Sequence, residues 1–125
     1  MIEYNTLSLA YLGDAVYELY VREYLLNKNI VKVKELQKEA IKYVSAKNQV
    51  KILNEITPYL TEEELDYVKK GRNTKSHKAP KNTDIITYKY ATGFETLIGY
   101  LYLNNKQNIG GLICIYMEKM SQQNT

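Results

Sequence analysis

At 125 residues the chain is long enough to bury a sizeable core and is read as one domain, residues 1–125. Its 45% hydrophobic and 25% charged residues describe an ordinary globular protein, with no signal peptide visible and no apolar run near the roughly 18 residues of a membrane helix. The single Cys114 excludes an intrachain disulfide and predicts a reduced, cytoplasmic protein, while a net charge of +3 is too small by itself to argue for nucleic acid.

In chain order, Leu9, Leu12, Val16 and Leu19 recur as one stripe and predict a first helix from about Thr6 to Leu26, ended by Asn27-Lys28-Asn29. Gly13 costs about 1 kcal/mol relative to Ala inside a helix, so its presence predicts a close approach by another element. Asp14 sits beside that notch. Glu18 follows one turn later, and Arg22, a further turn on, is its natural partner. Tyr17, Tyr20 and Tyr24 are read as core or interface-edge residues.

Val33 to Val44 predicts a second helix with Leu36, Ala40 and Tyr43 inside. Ser45 is the expected N-cap of a third, in which Val50, Leu53 and Ile56 recur until Pro58 stops it. Thr61 to Glu64 reads as a capping box opening a fourth helix. Lys69, Lys70 and Gly71 are expected to close that helix. A polar stretch, RNTKSHKAPKN, spans Arg72 to Asn82. Thr83-Asp84 then starts a long helix to about Asn104, with Phe94, Leu97, Ile98 and Leu101 as its stripe. A turn over Asn104 to Asn108 leads to a last helix from about Ile109 to Met120. No strand alternates convincingly, so the expected fold is all-α with about six helices.

The long helix carries the counterpart of Asp14. In ATGFETLIGYLYL, Glu95 lies between apolar neighbours, with Ala91 and Gly99 four residues to either side. Two helices that each hold an acid beside a small-residue notch are expected to pack with the acids facing. Such a pair would repel unless a proton or a cation held it, and all-oxygen ligands suit Mg²⁺.

AYLGDAVYE resembles the signature helix of the ribonuclease III family, and FETLIGYLYL resembles its second acidic helix. The chain's length, the stretch GRNTKSHKAPKNTD and the end soon after the last helix are most similar to the short branch, Mini-ribonuclease III, which lacks a double-stranded-RNA-binding domain. By position, the resemblance places the catalytic and metal-binding carboxylates on Asp14 and Glu95, and the subunit-contact aromatic of a homodimer on Tyr11. Two positions depart from the full-length enzymes: Ala10 and Thr92 stand where those have a Glu and an Asp. Waters, Thr92 or Glu18 are the candidates to complete a metal shell.

The resemblance implies a Mg²⁺-dependent endoribonuclease (Mn²⁺ a substitute) that cuts double-stranded RNA, one strand per subunit. The implied process is maturation of the large-subunit (23S) ribosomal RNA precursor, with a ribosomal protein as a candidate partner. The alternative is a non-catalytic double-stranded-RNA-binding homodimer of the same fold, for which Ala10 and Thr92 would be first steps. A helical DNA-binding or scaffold protein is a third reading.

Six of the 17 cations lie between Lys69 and Lys81, with no acid between Asp66 and Asp84. Lys70, Arg72, Asn73, Lys75, Lys78 and Lys81 are therefore the expected RNA-binding residues. Without an aromatic between Tyr67 and Tyr88, this run suits duplex phosphates rather than stacked single strands. His77, with no acid in the run to orient it, is read as a surface residue. Cys114 is read as core.

Overall fold

A computed structural model describes residues 4–74, 82–104, 109–113 and 116–118. Five α-helices are α1 (Thr6–Asn27), α2 (Val33–Val44), α3 (Ala46–Ile56), α4 (Glu62–Asn73) and α5 (Ile85–Asn104). Residues 109–113 and 116–118 are also helical, and no strand occurs among the described residues. The expectations for Cys114, His77, Lys75, Lys78 and Lys81 fall outside the described residues.

Local chemistry sets most helix ends. The Asn5 side chain accepts from the Leu7 N–H at 2.8 Å and opens α1. Asn29, in the left-handed region at φ 65°, turns the chain away after it. Ser45 accepts from the Asn48 N–H and starts α3, and Pro58 lies in the short 3₁₀ helix Thr57–Tyr59 that follows. Thr61 and Glu64 form the full capping box, at 2.8 and 3.1 Å. Asp84 caps α5 through the Thr87 N–H and hydroxyl, at 2.8 and 2.7 Å, and these bonds hold its carboxyl below the usual carboxylate range.

α5 is the hub. It buries Ala91, Thr92, Gly93, Phe94, Thr96, Leu97, Ile98, Gly99 and Leu101, so it is covered on nearly every side rather than along one stripe. α1, α3 and α4 all pack on it. Tyr17 stands edge-on to Phe94 at 5.0 Å and donates its hydroxyl to the Tyr43 carbonyl at 2.8 Å, tying α1, α2 and α5 together. Burial pushes that phenol's pKa well up. Ile109, Leu112, Ile113, Tyr116 and Met117 close the core, and the Tyr116 hydroxyl donates to the Asn48 carbonyl of α3.

Three expectations are corrected. In α1 the buried residues are Leu9, Ala10, Gly13, Val16, Tyr17, Val21 and Leu25, whereas Leu19 is 53% exposed and Leu12 half-buried. The reason is Gly13: α5 comes nearest where a side chain is missing, which rotates the inner face away from Leu19. In α3 the inward register is Gln49, Ile52, Leu53 and Ile56, with Val50 half-buried. Gly71 does not end α4. It lies inside the helix, which runs on to Asn73, and a methyl there would collide with the Thr96 side chain and sit 2.8 Å from the Gly93 Cα.

Candidate active site

The site forms where α1 crosses α5. A Cβ on Gly13 would overlap the Glu95 carbonyl oxygen, and one on Gly99 would overlap the Leu9 carbonyl oxygen. The two backbones therefore meet only because both positions are glycine. Asp14 follows Gly13 directly, so the crossing delivers its carboxylate beside Glu95. Both acids line one open cavity of about 190 Å³, together with Leu7, Ala10, Tyr11, Tyr88 and Thr92.

The electrostatics of the pair are strained. Burial, first, then the charge of Asp14 and a hydrogen bond with it, push the Glu95 carboxyl from an ordinary 4.5 up to about 8. A hydrogen bond from Gln49 of α3 works in the opposite direction. Near neutral pH Glu95 thus favours its protonated form, or a cation beside it in place of the proton. The donor set is all-oxygen and anionic, which fits a hard divalent ion better than a soft one. Among the described residues no third His, Cys, Asp or Glu joins it.

Ala10 and Thr92 line the same cavity, so both neutral departures face the acids. The Thr92 hydroxyl donates back to the Tyr88 carbonyl at 3.0 Å. Glu18 is not among the cavity's lining residues and pairs with Arg22 at 3.0 Å, both groups substantially exposed. Tyr11 sits at the cavity with 85% of its surface exposed.

Of the expected RNA-binding residues, Lys70, Arg72 and Asn73 occupy the last turn of α4. Lys70 lies over the Tyr67 ring at 4.7 Å and Arg72 over the Tyr90 ring at 5.7 Å, and Arg72 donates to the Asn73 side chain at 3.1 Å. Gly71 and Thr74 border a small hollow with Ile85, Tyr88, Lys89 and Thr92 of α5. Tyr88 and Thr92 belong to both hollows, so the cationic end of α4 adjoins the acidic cavity.

Two site residues escaped the sequence reading. Tyr88 lies seven positions before Glu95, two helical turns along the same face, and that spacing was a usable signal. Gln49 carried none: a glutamine beside Asn48 and Lys47 reads as surface, and only the register of α3 turns it inward.

A helical domain whose central crossing presents an aspartate and a glutamate to one cavity has known counterparts. The ribonuclease III domain family matches residues 7–106, and the chain belongs to the ribonuclease III family of endoribonucleases. Within that family it is similar to proteins named Mini-ribonuclease 3. That of Desulfitobacterium hafniense (strain Y51) is 54% identical over 104 residues, covering 83% of this chain and 66% of the relative. That of Enterococcus faecalis is 45% identical over 123 residues, covering 96% of this chain and 93% of the relative. An X-ray structure of a Fusobacterium nucleatum protein superposes with a TM-score of 0.83 at 34% identity, over 94% of this chain and 95% of that one. Among the described residues no helix is long and apolar enough to cross a membrane.

Proposed function

We propose that this endoribonuclease cleaves double-stranded RNA with Mg²⁺ held by Asp14 and Glu95, Mn²⁺ being able to replace it. The carrying observation is the convergence of these two carboxylates in one open cavity, with Glu95 pushed up to about 8 by burial and by the charge of Asp14. A divalent ion there would supply hydroxide from bound water at neutral pH and offset charge on the phosphate. The chain's own residues do the rest. Asp14 and Glu95 offer their oxygens from two rigid helices, and the cationic end of α4 receives neighbouring phosphates. An A-form duplex presents those phosphates irrespective of sequence, which suits a site read by charge and shape.

The exposed ring of Tyr11 supports a homodimer, each subunit cutting one strand. Replacing Tyr11 by Asp is expected to lower the sedimentation-derived association constant. A native chain that stays monomeric at micromolar concentration and still cuts RNA would overturn the dimer. The proposed cellular substrate is the large-subunit ribosomal RNA precursor in the cytoplasm, with a ribosomal protein presenting it. The names of the relatives support an RNA substrate.

The second reading, a duplex-binding protein without catalysis, is favoured by the neutral Ala10 and Thr92 in the cavity. Purified protein incubated with duplex RNA separates the two readings. Cleavage with Mg²⁺ that stops on adding a chelator supports the enzyme reading, and binding without cleavage at any Mg²⁺ or Mn²⁺ concentration overturns it.

A further inference from the structure

Gln49 is 3% exposed, one of four polar or charged side chains buried in the described part of the protein. It shares the inner face of α3 with Ile52, Leu53 and Ile56, on the helix that packs against α5. Burying an amide in such company costs about 1–3 kcal/mol unless its groups are hydrogen-bonded. No buried side-chain nitrogen or oxygen among the described residues lacks a partner. The partner that explains Gln49 is Glu95, whose carboxylate it contacts. Gln49 is buried and is not among the cavity's lining residues, whereas Asp14 lines the cavity beside Glu95.

We infer that Gln49 is a positioning residue: its buried side-chain amide donates to the Glu95 carboxylate and holds it beside Asp14. Ala10 and Thr92 provide no charge to fix the geometry of the pair, and Glu95 is carried on a side chain with three rotatable bonds. A buried anchor confines those rotations before any ligand arrives. Partners one step removed from a metal act in this way, orienting a ligand without touching the ion. This inference rests on the reading of Asp14 and Glu95 as metal ligands.

The test uses the full chain without RNA, titrated with Mg²⁺ and followed by backbone-amide NMR shifts at fixed pH. Gln49→Met keeps the side chain's length and removes the donor. It is expected to weaken Mg²⁺ binding about 10- to 100-fold. The same variant should lower kcat and leave KM for duplex RNA nearly unchanged. Ile52→Val, which loosens packing one turn further along α3, should leave Mg²⁺ binding at the wild-type value. Wild-type Mg²⁺ binding in Gln49→Met, or equal weakening in Ile52→Val, overturns the inference.

If Gln49→Met does not fold, the side-chain amide protons of Gln49 are followed in the wild type and in Glu95→Ala. Slow exchange that becomes fast when the carboxylate is removed supports the anchor, and unchanged exchange overturns it. Glu95→Gln separates the metal site from its anchor. Full Mg²⁺ binding and cleavage in that variant would remove the metal site itself, whereas their loss alongside an unaffected Gln49→Met would remove only the anchor.

Discussion

α5 is approached on two sides by glycine-notched helices, and only one of these crossings makes a site. On one side Gly13 and Gly99 let α1 touch the backbone of α5, and on the other Gly71 and Gly93 do the same for α4. The packing physics is shared: without Cβ atoms, carbonyls and Cα atoms come into direct contact. What differs is the neighbour of each notch. Asp14 follows Gly13 and faces Glu95, whereas Gly71 meets Thr96 and Gly93, and Gly93 meets Val68 and the Arg72 backbone. Close approach is a structural device on both sides, and it becomes chemistry only where carboxylates flank it.

Neutralising the acids should have the largest effect. Asp14→Asn and Glu95→Gln each remove a carboxyl group that could bind a cation without removing volume, so folding and duplex binding should persist. Losing several kcal/mol of charge stabilisation at about 1.4 kcal/mol per decade predicts a fall of about 1,000-fold in cleavage rate. Wild-type rates in both variants would leave the α1 crossing as inert as the α4 crossing.

Gly13→Ala and Gly93→Ala test the two notches directly. At Gly13 the new methyl overlaps the Glu95 carbonyl oxygen, and at Gly93 it comes within 2.7 Å of the Val68 carbonyl oxygen. Each overpacking should cost about 3 kcal/mol, offset by about 1 kcal/mol of helix propensity. Thermal unfolding should show both losses. Activity per folded molecule should drop only for Gly13→Ala, because only there is the backbone beneath Glu95 displaced. Equal activity losses in the two variants would contradict the contrast.

The α1 side should also carry a pH signature. In the folded, metal-free chain Glu95 keeps its proton up to about 8, against an ordinary 4.5 when unfolded. The folded state therefore binds more protons across that window. This group's contribution to stability is complete below 4.5 and is lost as pH rises through about 8. Denaturant unfolding should show declining stability over that range, a slope that Glu95→Gln removes and Mg²⁺ reduces. A wild-type profile identical to that of Glu95→Gln would refute it.

The smallest effect belongs to the cations of the stretch that begins at Arg72. Changing Arg72, Lys75 and Lys78 together to Ala should weaken duplex binding alike for all sequences. The slope of log affinity against log salt should flatten by roughly one unit per lost contact. Helical content should stay the same. An unaltered affinity and slope would make these cations a solvated edge rather than a phosphate contact.

Much of the fold is legible without coordinates because helix ends are local. Asn5, Ser45, Thr61 with Glu64, and Asp84 each satisfy backbone donors within three residues, so side-chain chemistry announces them. Gly13 announces a close approach for the same reason, an unfavourable residue in a helix needing a partner. The chain by itself therefore determined an all-α domain and the two acids on notched helices. Tertiary structure decided the rest. Leu19 faces out and Gln49 faces in because the register of a helix is set by what packs on it, and that packing comes from far along the chain. Gly71 sits inside α4 rather than at its end because α5 needs the space. The elevation of Glu95 has no local cause: burial in the assembled core raises it first and Asp14, 81 positions away, adds its charge, while Gln49 opposes both. Periodicity records which residues favour burial, but a carboxyl responds to the charges and solvent around it, and only the assembled core determines those.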